Sequence, residues 1–257
     1  MAEKREFWTE ARLKKGIYWL IGGIVAVIIA LAGWWYYLNV VPMQAASIIT
    51  RSIDEAQKKS TQNPNDASLH LALAQLYMQN KQYDETLAEL DIVIKLEKNN
   101  DVAYTIKGMA YEAKADDKKA EAAYKKAIEI GKTGSMQGVN RALFESYYKL
   151  GQMYYRQKKI NAALDMMTKA SQIDNIDADS LYWLGKIYYQ KGDYNKAAEN
   201  LVKATRFAPD FVEAEYLLGR SYEKLSRTSD AIKAYKQALA YKKDYQEAQT
   251  ALDRLQK

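Results

Sequence analysis

Cysteine is absent from the 257 residues, which excludes disulfides and a lipoprotein-type cysteine anchor without choosing a compartment. Histidine occurs once, as His70, and a single imidazole without thiols cannot build a histidine-rich metal site. A packed or half-exposed core role suits it better. No nucleophile elbow, dinucleotide fingerprint or metalloprotease motif is present. Gly131-Lys132-Thr133 looks like the end of a phosphate loop, but position 126 is Lys126 where that loop needs glycine. The pair Asp116-Asp117 reads as a capping turn and not as acid–base machinery. Strong charge of one sign is also missing. The net charge is +6, with 33 basic and 29 acidic residues after position 41, and no Lys/Arg block with interleaved aromatics. That balance gives no nucleic-acid surface and reads as solvated helix faces. The expectation is a chain with no catalytic residues, no cofactor, no metal and no small-molecule substrate.

What is there is a repeat. Tyr77, Tyr111, Tyr154, Tyr188 and Tyr222 are spaced 34, 43, 34 and 34 residues apart. Three positions before each stands Ala74, Gly108, Gly151, Gly185 or Gly219, and nine after stands Thr86, Ala120, Ala163, Ala197 or Ala231. Larger residues follow at Leu90, Tyr124, Met167, Leu201 and Tyr235, then small ones at Val93, Ala127, Ala170, Ala204 and Ala238. Positions 4, 7, 8 and 11 of each copy share one helical face. The small residue at position 8 lets two helices approach closely, and stacked copies bury a continuous core. This pattern resembles the tetratricopeptide (TPR) repeat, a helix–turn–helix unit. The copy from Leu181 to Pro209 carries the family pattern at every defining position. The resemblance implies an all-α TPR helical solenoid with repeats at 67–100, 101–134, 144–177, 178–211 and 212–245. Residues 246–257 read as a capping helix with an Ala248, Ala251, Leu252, Leu255 stripe.

Gly16 to Val41 forms a run of 26 residues whose only strongly polar side chain is Asn39. As a helix it measures about 39 Å, longer than a hydrocarbon core of about 30 Å. Tyr18 and Trp19 lie near one end and Trp34 to Tyr37 near the other, as the two water interfaces favour. One N-terminal transmembrane helix is the expectation. A cleaved signal peptide is the alternative, with Ala30-Leu31-Ala32 before Gly33 as its small-x-small site. Arg12, Lys14 and Lys15 precede the span and no basic residue follows until Arg51. The positive-inside rule then puts residues 1–15 in the cytoplasm and the repeats outside it, in a plasma (inner) membrane with the repeats periplasmic or equivalent. Gly22, Ala26, Ala30 and Gly33 line one side of this helix and are expected to pack against another transmembrane helix.

Residues 42–66 join span and repeats. Ala45, Ile48, Ile49, Ile53 and Ala56 recur at helical spacing, and Pro42 suits the first turn of a new helix that packs on the first repeat. Between the second and third copies there are nine extra residues, placed at Gly131 to Gly138 and just after. They read as a loop, either tolerated or partner-binding.

Repeat positions 5, 9 and 12 share a second face. In the third copy they are Tyr148, Gln152 and Tyr155; in the fourth Tyr182, Lys186 and Tyr189; in the fifth Tyr216, Arg220 and Glu223. Position 2 is acidic in all three, as Glu145, Asp179 and Glu213. Tyrosine gives rigid amphipathic contact area and is enriched in hot spots, so these rows are expected to form a partner groove, with Lys186 and Arg220 pairing acidic groups. The other reading is that the rings simply pack between neighbouring helices. TPR domains imply protein-binding scaffolds, so the expected function is a membrane-anchored scaffold that assembles or stabilises a complex. Two alternatives stay open: an accessory subunit of a respiratory or photosynthetic complex, and a cytosol-facing import-type receptor.

Overall fold

The computed structural model describes the backbone of residues 10–133 and 140–256. The side chains of residues 10–18, 20–22, 24–25 and 39–47 fall outside the described set. Among the described residues all regular structure is helical. Residues up to Gln62 and residues from Asn63 onward are two separate compact units.

The first unit is one helix, α1 (Glu10–Gln62). It runs through Pro42 without a break, so no separate helix begins there. A proline inside a helix removes one donor and strains one turn, and the helix-compatible residues on both sides carry the ladder past it. Among the described residues no helix is long and apolar enough to cross a membrane. Several side chains of the expected span Gly16–Val41 lie outside the described set. Of its proposed packing stripe, Gly22 is outside them, while Ala26, Ala30 and Gly33 are exposed on α1. Trp34 and Trp35 are each 63% exposed.

The second unit is five helix pairs and a final helix. The pairs are α2 (Ala67–Gln79) with α3 (Tyr83–Leu96), α4 (Asp101–Ala113) with α5 (Asp117–Gly131), α6 (Arg141–Arg156) with α7 (Ile160–Ile173), α8 (Ala178–Lys191) with α9 (Tyr194–Phe207), and α10 (Val212–Lys224) with α11 (Thr228–Tyr241). Helix α12 (Gln246–Leu255) closes the stack. Each first helix packs on its own second helix, and each second helix on the next first helix. The third pair begins at Arg141, three residues before the position the period gives. The loop expected at Gly131–Gly138 falls mostly outside the described residues.

Close approach at position 8 explains the pairing. A Cβ on Gly108 would lie 2.5 Å from the Tyr124 ring, and one on Gly219 2.5 Å from the Tyr235 ring. On Gly185 it would meet Leu201 Cγ at 2.5 Å. The large residue of the second helix therefore fills the space that the missing side chain leaves, and those residues are fully buried. His70 sits in the core of the first pair, its Nδ1 2.6 Å from Glu89 Oε2 and its Nε2 3.2 Å from the Pro64 carbonyl.

Candidate functional site

The first helices of the last three pairs, α6, α8 and α10, carry positions 2, 5, 9 and 12 on one side, because these steps fall within about 80° on a 3.6-residue helix. Tyr148, Tyr155, Tyr182, Tyr189 and Tyr216 are all half-buried there, as are Gln152 and Lys186, and Arg220 is exposed. The structure brings them together in a repeating contact. Each position-9 cation lies over the position-12 ring of the preceding repeat and the position-5 ring of its own. The Lys186 ammonium is 5.3 Å from the Tyr155 centroid and 5.7 Å from that of Tyr182. The Arg220 guanidinium is 4.9 Å from Tyr189 and 5.8 Å from Tyr216. Such contacts contribute about 0.5–2 kcal/mol, more where the site is dry.

Sequence periodicity missed four rings that complete this face. Trp183 packs edge-on against Tyr155 at 5.3 Å and lies 4.5 Å from the Lys186 ammonium. Phe144 stacks on Tyr148 at 5.9 Å. Phe211 sits 4.8 Å from Tyr182, and Tyr245 5.3 Å from Tyr216. Phe211 and Tyr245 hold one structural position, the N-cap of α10 and of α12. The corresponding residues Asp66, Asn100, Asn140 and Asp177 cap α2, α4, α6 and α8 through their side chains. Phe211 and Tyr245 make no side-chain cap bond. A cap of about 1 kcal/mol is forgone at both sites and a ring is placed on a groove tyrosine instead. The aromatic residue recurring at the last position of the fourth and fifth repeats is the signal that would have found them.

Position 12 divides the face. Where the second helix carries a buried tyrosine, position 12 is glutamate: Tyr124 Oη donates to Glu112 at 2.8 Å, and Tyr235 Oη to Glu223 at 2.5 Å. Arg156 closes the first set at 2.8 Å, and Arg254 of α12 pairs with Glu223 in the second. Where the second helix carries Met167 or Leu201, no buried hydroxyl needs an acceptor, and position 12 is Tyr155 or Tyr189. The tyrosine-rich stretch is therefore bounded by two glutamates whose acceptor capacity is used inside the fold.

The electrostatics follow from burial. Desolvation lowers the Lys186 ammonium from its usual value, and among the described residues no carboxylate pairs with it. Among the described residues no carboxylate pairs with Arg220 either. Burial, then the Asp179 charge, raises the Tyr148 phenol, while a hydrogen bond with Trp183 opposes the shift. Burial and then Glu213 raise Tyr182, and burial with Glu247 and Glu213 pushes Tyr245 up to about 12. Asp179 is itself raised, by burial and by neighbouring Asp177. At the C-terminal end the face opens into a cleft of about 490 Å³ between α10 and α12, lined by Tyr216, Arg220, Glu223, Gln246 and Arg254. Among the described residues no group of three or more metal-ligating side chains converges.

A stack of helix pairs of this kind defines a class, the helical-repeat solenoids. The chain carries tetratricopeptide repeats: profiles described as TPR repeat match residues 151–192 and 185–226, and one described as tetratricopeptide repeat matches 102–130 and 212–245. No curated protein is significantly similar in sequence. Among solved structures the chain is similar to YrrB, a TPR protein with an unusual peptide-binding site, at 21% identity over 77% of this chain and 97% of that one, with a TM-score of 0.62. It is similar to MamA from Desulfovibrio magneticus RS-1 at 19% identity over 70% and 96%, with a TM-score of 0.58. The C-terminal part of a TPR repeat-containing protein from Cytophaga hutchinsonii matches at 17% identity over 77% and 75%, with a TM-score of 0.61. At these identities the likeness is one of fold.

Proposed function

We propose that this chain is a non-enzymatic scaffold whose last three repeats hold a partner protein in the groove of α6, α8 and α10, for assembly or stabilisation of a membrane or envelope complex. The observation that carries the reading is the aromatic face with two cations, Lys186 and Arg220, that no carboxylate neutralises among the described residues. Packing alone does not require that arrangement. The rings offset part of the desolvation of the Lys186 ammonium, and with no carboxylate beside it among the described residues it keeps capacity for an acidic group of a partner. The apolar run Gly16–Val41 is proposed to hold the chain in a plasma (inner) membrane, N-terminus cytoplasmic, with the repeats on the far side; the sequence supports that part. Gly22, Ala26, Ala30 and Gly33 are the residues proposed to meet a second transmembrane helix there.

The test is recovery of partners by the tagged full chain from detergent extracts, with and without Tyr182→Ala and Tyr189→Ala together. The pair is expected to weaken binding by at least a few kcal/mol, as hot-spot tyrosines do. Full recovery by a correctly folded double mutant would refute the groove. A compartment-sensitive phosphatase fused to the C-terminus tests the sidedness, activity being the expected result.

A further inference from the structure

From α8 onward the groove carries two charged rows of opposite sign, and α6 adds an acidic residue and a neutral one. Position 2 gives Glu145, Asp179, Glu213 and, in α12, Glu247; position 9 gives Gln152, Lys186, Arg220 and, in α12, Arg254. Both rows lie on the face that carries the tyrosines. Within one helix the two rows are seven residues apart, about 10.5 Å at 1.5 Å per residue, and nearly aligned in angle. The position-5 tyrosines Tyr148, Tyr182 and Tyr216 form the floor between them. The acidic row reaches that floor, since Asp179 acts on the Tyr148 phenol and Glu213 on that of Tyr182. The basic row reaches it as well, through the ring contacts of Lys186 and Arg220.

Acidic residues in a first helical turn ordinarily offset the helix dipole. In that role Asp179 and Glu213, in the first turns of α8 and α10, remain exposed at the edge of the groove. Among the described residues no cation pairs with Asp179, Glu213 or Glu247, while Glu145 is paired with Arg141 at 2.9 Å. The face thus presents carboxylates along one edge, cations along the other, and half-buried rings between.

The geometry points to an amphipathic α-helix of the partner as the occupant, lying along the stack across α6, α8 and α10, with basic side chains along its edge over Asp179 and Glu213 and acidic side chains along its edge over Lys186 and Arg220. The inference rests on the groove reading above and adds what fills it. An α-helix with its side chains is about 10–12 Å across, which matches the separation of the rows, and residues three and four apart put each charge type on one edge. An extended segment sends alternate side chains to two opposite sides, so if these meet the two charged edges none is left to pack on the aromatic floor, whereas a helix presents two edges and a stripe between them. Helix α6 touches α8, and α8 touches α10. At about 8–10 Å per spacing the tyrosine floor runs for roughly 20 Å, so about 13 residues of ligand helix cover it.

The experiment uses the full chain in detergent and labelled 18-residue peptides read by fluorescence anisotropy and circular dichroism. One peptide has a Leu/Tyr stripe with lysines along one edge and glutamates along the other. A second has the same composition with the two signs mixed on both edges. A third has glutamate on both edges, and a fourth is the first with two central prolines. The first is expected to bind at least tenfold more tightly than each of the others and to gain helicity on binding. Lys186→Glu with Arg220→Glu is expected to erase its preference over the mixed peptide, in protein whose far-ultraviolet circular dichroism shows the helix content of the parent. Equal binding of the mixed peptide overturns the two-row assignment, as does tighter binding of the all-glutamate peptide. Equal binding of the proline peptide shows an extended ligand and overturns the helix. Absence of binding by all four also overturns it. In every one of these cases the groove reading stands or falls separately, on partner recovery by the Tyr182 and Tyr189 double mutant.

Discussion

Ala115 turns the chain between α4 and α5 at a φ of 59°, and the same turn in the other pairs places Lys81, Lys158 and Ser226 at 61°, 61° and 58°. Only the fourth pair meets this left-handed position with a glycine, Gly192 at 80°. A side chain there costs about 1–2 kcal/mol through the clash of Cβ with the backbone. Ala115→Gly is therefore expected to raise stability by about 0.5–1 kcal/mol after the extra entropy of unfolded glycine, and Gly192→Ala to lower it by about 1 kcal/mol. Urea midpoints of the full chain check both. A second residue acts through protonation. Glu215 occupies core position 4, where the other repeats carry His70, Tyr104, Tyr147 and Leu181, and it is 8% exposed. Burial raises its carboxyl above the usual 4.5, and a hydrogen bond from Thr205 only partly opposes the shift. The folded chain then holds this proton more tightly than the unfolded one. Its contribution to stability is greatest below about 4.5 and declines as pH rises through the raised folded value. Glu215→Gln is expected to flatten that part of the profile and to raise the urea midpoint at pH 7 relative to pH 4.5. An unchanged difference between the two pH values would show that another group sets it.

Helix starts show where local stability and the proposed role diverge. Asp177 caps α8 by accepting from the Ser180 amide at 2.7 Å, whereas Phe211 at the start of α10 caps nothing and packs on Tyr182. Phe211→Asp is expected to regain a cap of about 1 kcal/mol and to lose a ring contact of similar size. Stability should change by less than about 1 kcal/mol while partner recovery falls, and a loss of both together would make Phe211 a packing residue only. The first helices of four pairs were legible in the sequence because small and large residues alternate at fixed positions, and the starts at 67, 101, 178 and 212 follow from that register. The start at Arg141 was not, because the insertion hides the phase. The continuity of α1 through Pro42 was not either, since local rules read proline as a beginning. Tyrosine rows at positions 5 and 12 were visible as a face. Trp183, Phe144, Phe211 and Tyr245 were not, because they stand at positions 6, 1 and 34 of their repeats, outside the rows that recur, where contacts depend on how one pair is set on the next.

In a stack where each pair touches only its neighbours, damage stays local in its first effects. Leu252 of α12 is buried against the last pair. Leu252→Ala is expected to cost about 2–5 kcal/mol if the end cannot collapse around the gap, and to appear in amide exchange as faster opening of α11 and α12 with α2 to α5 unchanged. Uniform acceleration along the whole stack would mean that the repeats unfold as one unit. The position of Trp183 has a different consequence. The chain has five tryptophans, and the other four, Trp8, Trp19, Trp34 and Trp35, all precede residue 36. The whole repeat unit therefore contains a single indole, edge-on to Tyr155 and 4.5 Å from an ammonium, at the middle of the proposed groove. Replacing the four N-terminal tryptophans with phenylalanine leaves an intrinsic chromophore whose emission reports on one place only. The occupancy of this surface can then be followed by light, with no label attached to either protein.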